Sequence, residues 1–350
     1  MTNFLVDSDK KLNNLFLKIK DCREIGLDTE FIRESTYRPI LALIQISLPD
    51  GDIYLIDPLS ISDIDLINEI LVHNNIVKII HSSKQDLEAL YAYTKEFPCN
   101  IFDTQIASNL LFEKSNIGYS TLVKNICNTN IKEGSWRTNW LKRPLSDEKK
   151  SYAADDVKYL INIKNELAKS LKKLNRYSWF QEEQGVELEK SNIIIKPADA
   201  WEKVNYPLYF ESDAIELLKK TSLWRENLAI KYNIPKRWLL SDSQIIKIIV
   251  SNDNKTSEII NNIKHEITEH EKRDLNELLD SKKIIKNKNL PSIKNIEQKY
   301  NQLLSYVSDE YKIDSTFIAN KRDIEIFSLT SNSTKFMSGW RYQIFGKLLQ

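Results

Sequence analysis

The sequence predicts an α/β domain with a mixed sheet, followed by all-helical units. Three observations predict it. Through the first half of the 350 residues, short strand-like runs alternate with helix-period segments, the pattern of a sheet layered with helices. Pro49-Asp50-Gly51-Asp52 sits between two such runs. Proline presets φ and glycine accepts positive φ, so the chain folds back on itself there and the sheet is mixed. From Asp147 onward helix signals dominate.

In order, Ile25–Glu30, Leu41–Ser47 and Ile53–Ile56 read as consecutive antiparallel strands. Ile64–Leu71 reads as helix, Ile76–His81 as strand, Lys84–Tyr93 as helix, Asn100–Phe102 as a short strand and Thr104–Phe112 as helix. Ser146 is a good N-cap, with Asp147 and Glu148 in the first turn, and the helix is expected to run to about Lys173. Residues 185–204 lose periodicity around Pro197 and read as a linker. Residues 206–280 are helical with a polar surface, 281–292 form a basic connector, and the remainder is a third helical unit. The expected domains are therefore 1–175, 206–280 and 293–350.

Composition narrows the function. Hydrophobic residues at 41% and charged residues at 28% describe an ordinary globular chain. Only seven glycines occur, with no GxxxxGK[ST] and no GxGxxG, so nucleotide-fold readings lose their anchor. The net charge of +1 is not that of a simple basic nucleic-acid binder; a polyanion would be held by local patches or metal ions. Cys22, Cys99 and Cys127 form neither a CxxC nor a disulfide framework, which suits a reducing compartment. The first residues lack a signal-peptide apolar region and no apolar run reaches a membrane span. A cytoplasmic location is expected, with no membrane and no obligate protein partner.

Three acidic stretches carry the chemistry. In a strand, Asp28 and Glu30 share a face. Buried carboxylates need a counter-charge, and a divalent metal is an economical one; the alternative is that DTE merely opens a helix. Asp86 follows Ser83 at capping-box spacing, so it pairs with a helix dipole or serves a site. Tyr152 and Asp156 are one helical turn apart, and Ala153, Asp156, Val157 and Leu160 make an inward stripe. Asp155 is rotated away, toward solvent. Tyr152 by itself reads as a half-buried core tyrosine, the commoner case for a single tyrosine.

Together these stretches give D-x-E on a strand, D at a strand–helix junction and Y-x3-D on a later helix. That pattern resembles the DEDD exonuclease superfamily in its tyrosine branch. DTEFIRE, LALIQIS, HSSKQDLE, FDTQIA, RTNWLKRPL and YAADDVKYL resemble successive blocks of the ribonuclease D family, over roughly residues 20–165. Ser151 stands where the related histidine branch would place its histidine.

The resemblance implies a ribonuclease-H-like fold and a 3′→5′ exoribonuclease that uses two divalent ions, Mg²⁺ or Mn²⁺. By motif, Asp28, Glu30, Asp86 and Asp156 would be the metal ligands, completing the catalytic set with Tyr152, which would bind the attacking water. Free tyrosine has a pKa of about 10, so Tyr152 would orient the water rather than deprotonate it. The implied substrate is RNA with a free 3′ end, tRNA precursors in the family, released as 5′-mononucleotides. Two alternatives stand beside it: a DNA exonuclease with the same site, and a nucleic-acid-binding protein whose site is silent.

Trp136, Arg137, Trp140, Lys142 and Arg143 interleave cations with aromatics in one loop. They suit either phosphate contact and base stacking or core packing. His265 and His270 in HEITEH are five apart, about 140° around a helix, so they make no HExxH-type metal pair and read as surface residues. Leu223-Trp224-Arg225, Ala229, Asn233, Pro235, Leu240 and Ser241 resemble the HRDC domain, a helical module that would hold nucleic acid. A helical bundle with a tryptophan in its core is the other reading. Residues 293–350 resemble a second, degenerate HRDC-like unit.

Overall fold

The computed structural model describes residues 3–131, 138–251, 253–280, 293–330 and 334–349. The strands are β1 (Asn3–Val6), β2 (Glu24–Ile32), β3 (Ile40–Ser47), β4 (Ile53–Ile56), β5 (Val77–Ile80) and β6 (Ile101–Asp103). They form one sheet in the order β1-β4-β3-β2-β5-β6. β2, β3 and β4 pair antiparallel, as the turn at 49–52 predicts, with Gly51 at φ 91°. β1 on β4, β5 on β2 and β6 on β5 are parallel. The sheet is mixed.

The helices of this part are α1 (Asp9–Ile19), α2 (Ile64–Val72), α3 (Lys84–Thr94), α4 (Thr104–Asn109), α5 (Tyr119–Cys127), α6 (Asp147–Lys158), α7 (Leu160–Lys173), α8 (Tyr177–Glu187) and α9 (Lys190–Ile193). Strand alternation sorts the core into two clusters. Ile25, Leu27, Ile44 and Ile46 meet α1, α2 and α3 on one face. Leu43, Ile79 and Phe102 meet α4 to α7 on the other. Gly26 faces α6 and α7. A Cβ there would lie 2.2 Å from Ser47 Oγ, 3.1 Å from the Val157 carbonyl and 3.2 Å from Leu160 Cβ. The missing side chain lets the end of α6 close onto β2, and Ser47 donates to the Val157 carbonyl at 2.8 Å.

Two expectations are corrected. The helix from Asp147 does not run unbroken to Lys173; it breaks at Tyr159. The Tyr119 hydroxyl donates to the Asp155 carbonyl and accepts the Tyr159 N–H, both at 3.1 Å. A side chain has inserted into the i→i−4 ladder, a recognised cause of helix breaks. The linker read at 185–204 is partly ordered: α8 runs to Glu187, α9 follows, and Pro197–Lys203 is a 3₁₀ turn.

The chain divides into two compact units. The first joins Met1–Ile32, Pro39–Ile193 and Ile293–Gln350. It includes α14 (Lys294–Tyr311), α15 (Ser315–Ile318), α16 (Lys321–Thr330) and α17 (Gly339–Ile344), numbered after the helices of the second unit. Residues from 293 onward were expected to stand as a third unit. Instead Val307, Ile318, Phe336, Trp340 and Phe345 belong to the same hydrophobic cluster as α4 to α8. Arg341 is buried against Glu183 of α8, and the Trp340 indole donates to the same carboxylate at 3.0 Å. Arg176 donates to the carbonyls of Leu110 and Tyr311.

The second unit comprises Arg33–Arg38 and Ile194–Ser292. It holds α10 (Ser212–Tyr232), α11 (Asp242–Val250), α12 (Asp253–Asn261) and α13 (Glu269–Asp280). Its core includes Trp224, Ala229 and Leu240. Arg225 is fully buried and donates to the Leu240 carbonyl and to Asp242. Asn233 ends α10 at φ 50°, and Ser241 makes a capping box with Gln244. Most residues quoted for the HRDC likeness therefore build this unit's interior and helix ends. The connector 281–292 lies outside the described residues. Among those described, no helix is long and apolar enough to cross a membrane.

Candidate active site

β2 supplies the first two acids. β5 pairs with it only through Glu24–Gly26, so Asp28 and Glu30 overhang beyond the end of β5. The chain leaves β5 at Ile80 and starts α3 at Lys84, which brings the first turn of α3 beside the overhang. There the Thr29 hydroxyl donates to Asp86 Oδ1 at 2.6 Å. α6 covers the same face as Asp28 and carries Tyr152 and Asp156 inward. Ligand oxygens of Asp28, Glu30 and Asp156 lie within 4.8 Å of one another. Asp86 stands outside that group of three, yet close enough to act on their charge.

The electrostatics are those of crowded acids. Burial holds the Asp28 carboxyl well above its ordinary value, reinforced by Asp86, Asp156 and Glu30. Glu30 is pushed up to about 9 by burial and then by the Asp156 and Asp86 charges, with Lys149 acting in the opposite sense. Asp156 rises to about 7 through burial and the neighbouring Asp155, partly offset by a hydrogen bond from Tyr152. Asp86 rises to about 7 through burial, partly offset by the Thr29 hydroxyl. Burial and the three nearby acids push the Tyr152 phenol up, so it stays protonated. Four carboxylates and no ion-paired base among the described residues make a hard oxygen donor set, which fits a divalent cation.

Of the residues named from sequence, the chain brings Asp28, Glu30 and Asp156 together, with Tyr152 hydrogen-bonded to Asp156 and Asp86 held next to them by Thr29. Ser83 makes no cap bond and donates instead to Asp103 at 2.7 Å, so no capping box forms, while Asp86 does stand in the first turn of α3, where the dipole reading put it. Trp140 is core, its ring 6.0 Å from that of Tyr152. Arg143 is committed to Asp57 through two bonds of 2.6 and 2.7 Å and to the Ala42 carbonyl, so it braces the loop. Lys142 is exposed, and Trp136 and Arg137 lie outside the described residues. His265 packs on Tyr232 at 4.7 Å between ring centres and is half-buried rather than surface; His270 pairs with Asp274.

Sequence reasoning missed Thr29, Tyr119 and Lys149. Strand alternation turns Thr29 away from Asp28 and Glu30, and nothing in the local sequence says that the first turn of α3 arrives there to meet it. Tyr119 lies in a helix that was not read at all. His81 Nδ1 lies 2.9 Å from Thr104 Oγ1 and its ring packs on Tyr119.

A family model described as 3′-5′ exonuclease matches residues 3–172. Ribonuclease D of Bartonella henselae is 33% identical over 92% of this chain and 83% of its own length. Ribonuclease D of Desulfotalea psychrophila is 35% identical over 72% of this chain and 67% of its own. The fold is similar to the crystal structure of Escherichia coli RNase D, with a TM-score of 0.80 at 22% identity, covering 100% of this chain and 98% of that one. With its fold, its acid cluster and its relatives in agreement, the chain belongs to the ribonuclease D family of 3′→5′ exoribonucleases.

Proposed function

We propose that this chain trims the 3′ ends of tRNA precursors and other RNAs, one 5′-mononucleotide at a time. Asp28, Glu30, Asp86 and Asp156 would hold two Mg²⁺ or Mn²⁺ ions, and Tyr152 would orient the attacking water. The observation that carries this reading is the meeting of Asp28, Glu30 and Asp156 within 4.8 Å, beside the Tyr152 hydroxyl. Such ions, when bound, supply the Lewis acidity that lowers the pKa of water and stabilises a leaving 3′-oxygen.

The side chains do the rest. Burial and mutual repulsion make the acids carry more protons without a cation than with one, so binding releases protons. The protonated Tyr152 donates to Asp156 and leaves its phenol oxygen to accept a hydrogen bond from water. That fixes the direction of the water's lone pair, a positioning role rather than a general base. The HRDC-like module of residues 206–280 and the tail from 293 would hold RNA; this rests on their sequence likeness. The three unpaired cysteines suit the cytoplasm.

A 5′-labelled tRNA precursor with a short 3′ extension tests the reading, incubated with Mg²⁺ or Mn²⁺ beside a matching DNA, an EDTA control and Asp28→Ala. Stepwise shortening of the RNA from its 3′ end, lost in both controls, is expected. Preferential loss of the DNA would make it a DNA exonuclease. Intact RNA retarded on a gel would make it a binding protein.

A further inference from the structure

Lys149 lies three residues before Tyr152 and seven before Asp156, on the inward face of α6. Its ammonium donates to the Asn139 carbonyl at 2.6 Å and sits 5.3 Å over the Trp140 ring. Trp140 is buried, and its ring in turn lies 6.0 Å from that of Tyr152. The ammonium is thus held on a buried ring at one side of the water-orienting tyrosine. Among the described residues no carboxylate forms an ion pair with it. The other lysines of α6 behave otherwise: Lys150 pairs with Asp147 and Lys158 with Asp155. Its charge is also felt at Glu30.

A fixed cation at the lip of an acidic site faces two kinds of anion, the site's own carboxylates and an incoming phosphate. The carboxylates are expected to be engaged by metal, which leaves the phosphate. Resting on the nuclease reading above, we propose that Lys149 is a substrate-contacting residue, its ammonium taking a phosphate oxygen at the 3′ end of the RNA beside Tyr152. The contact needs little rearrangement. An ammonium has three donors, and the Asn139 carbonyl takes one. The Trp140 face holds the charge without neutralising it.

The test measures kcat/KM on single-stranded RNA across a salt series for the wild type, Lys149→Gln and Lys149→Arg. Losing one charge-assisted phosphate contact is expected to lower kcat/KM about ten- to a hundredfold in Lys149→Gln. The log–log salt slope is expected to become shallower by about 0.7, the value for one single-strand phosphate. Lys149→Arg is expected to keep the wild-type slope. Unfolding midpoints report folding separately, and the arginine variant keeps the test standing should the glutamine variant fold poorly. An unchanged salt slope in Lys149→Gln, whatever its rate, would reduce Lys149 to a brace for Asn139 and Trp140 and overturn the proposal. A wild-type chain that shortens no RNA would overturn the nuclease reading itself, a different and distinguishable failure.

Discussion

The Thr29 hydroxyl donates to Asp86 Oδ1 at 2.6 Å, joining the strand that carries two of the acids to the helix that carries a third. Both groups are buried. With the backbone hydrogen bonds that Asp86 also accepts, the bond orients its carboxylate. Partners of this kind are worth about 10- to 100-fold in metal affinity or activity. Thr29→Val, equal in shape but without the hydroxyl, is expected to raise the Mg²⁺ concentration for half-maximal activity by about that factor. Thr29→Ser is expected to restore it. A Mg²⁺ titration of hydrolysis rate settles the point, and an unchanged midpoint in Thr29→Val would show that Asp86 needs no such anchor.

Tyr119→Phe removes the hydroxyl from the helix ladder. The Asp155 carbonyl and the Tyr159 N–H then either stay unpaired or bond to each other. The first costs about 1–3 kcal/mol. The second straightens the break and re-aims Asp156. Either way, lower stability or a raised Mg²⁺ requirement is expected, read by urea unfolding and by metal titration. A variant unaltered in both would mean that the break is set elsewhere.

Stability of the metal-free protein carries the signature of the crowded acids. Glu30 keeps its proton to about 9, and Asp86 and Asp156 to about 7, against ordinary values of 4.5 and 3.8. Between those bounds the folded state binds more protons than the unfolded chain, so stability falls as pH rises. His81, whose pKa is lowered from 6.5, and Lys78, lowered to about 8, act in the opposite sense below 6.5 and above 8. The clean window is therefore about pH 6.5 to 8. In EDTA the melting temperature should decline across it. With excess Mg²⁺ the acids are ionised and the decline should vanish, with protons released on binding. Parallel slopes in EDTA and Mg²⁺ would count against the metal assignment.

Arg341 and Glu183 form a buried pair that ties α17 to α8. Arg341→Met strands the carboxylate, at a cost of about 3–5 kcal/mol. The double variant with Glu183→Gln is expected to recover much of that. Urea midpoints of the two variants make the comparison. Equal destabilisation of both would show that packing of the arginine, rather than its charge, holds the tail.

Much of this was legible from sequence, for physical reasons. β3 and β4 were found because proline and glycine mark the turn between them. β2 was found because Ile25 and Leu27 alternate with the acids. The acids themselves stood out because carboxylates on an inward face need a counter-charge. α1 was missed although Leu12, Leu15 and Ile19 follow helical spacing, because lysines and asparagines fill much of the rest of a short run. β1 is four residues long and reads as a strand only once β4 is beside it. The break at Tyr159 was invisible because its cause, Tyr119, is forty residues away in sequence. The tail from 293 was read as separate because its amphipathic helices do not say which core they complete.

That shared core has a consequence for how the enzyme comes into being. The site's parts span residues 28 to 156, but the hydrophobic cluster behind α6 and α7 is finished only by side chains near Trp340 and Phe345. A chain still emerging from the ribosome carries every acid long before it carries those side chains. Until they arrive, α8 lacks the partners that pair with its Glu183 and stack on its Trp179. Every part of the site is thus encoded well ahead of side chains that share its hydrophobic cluster.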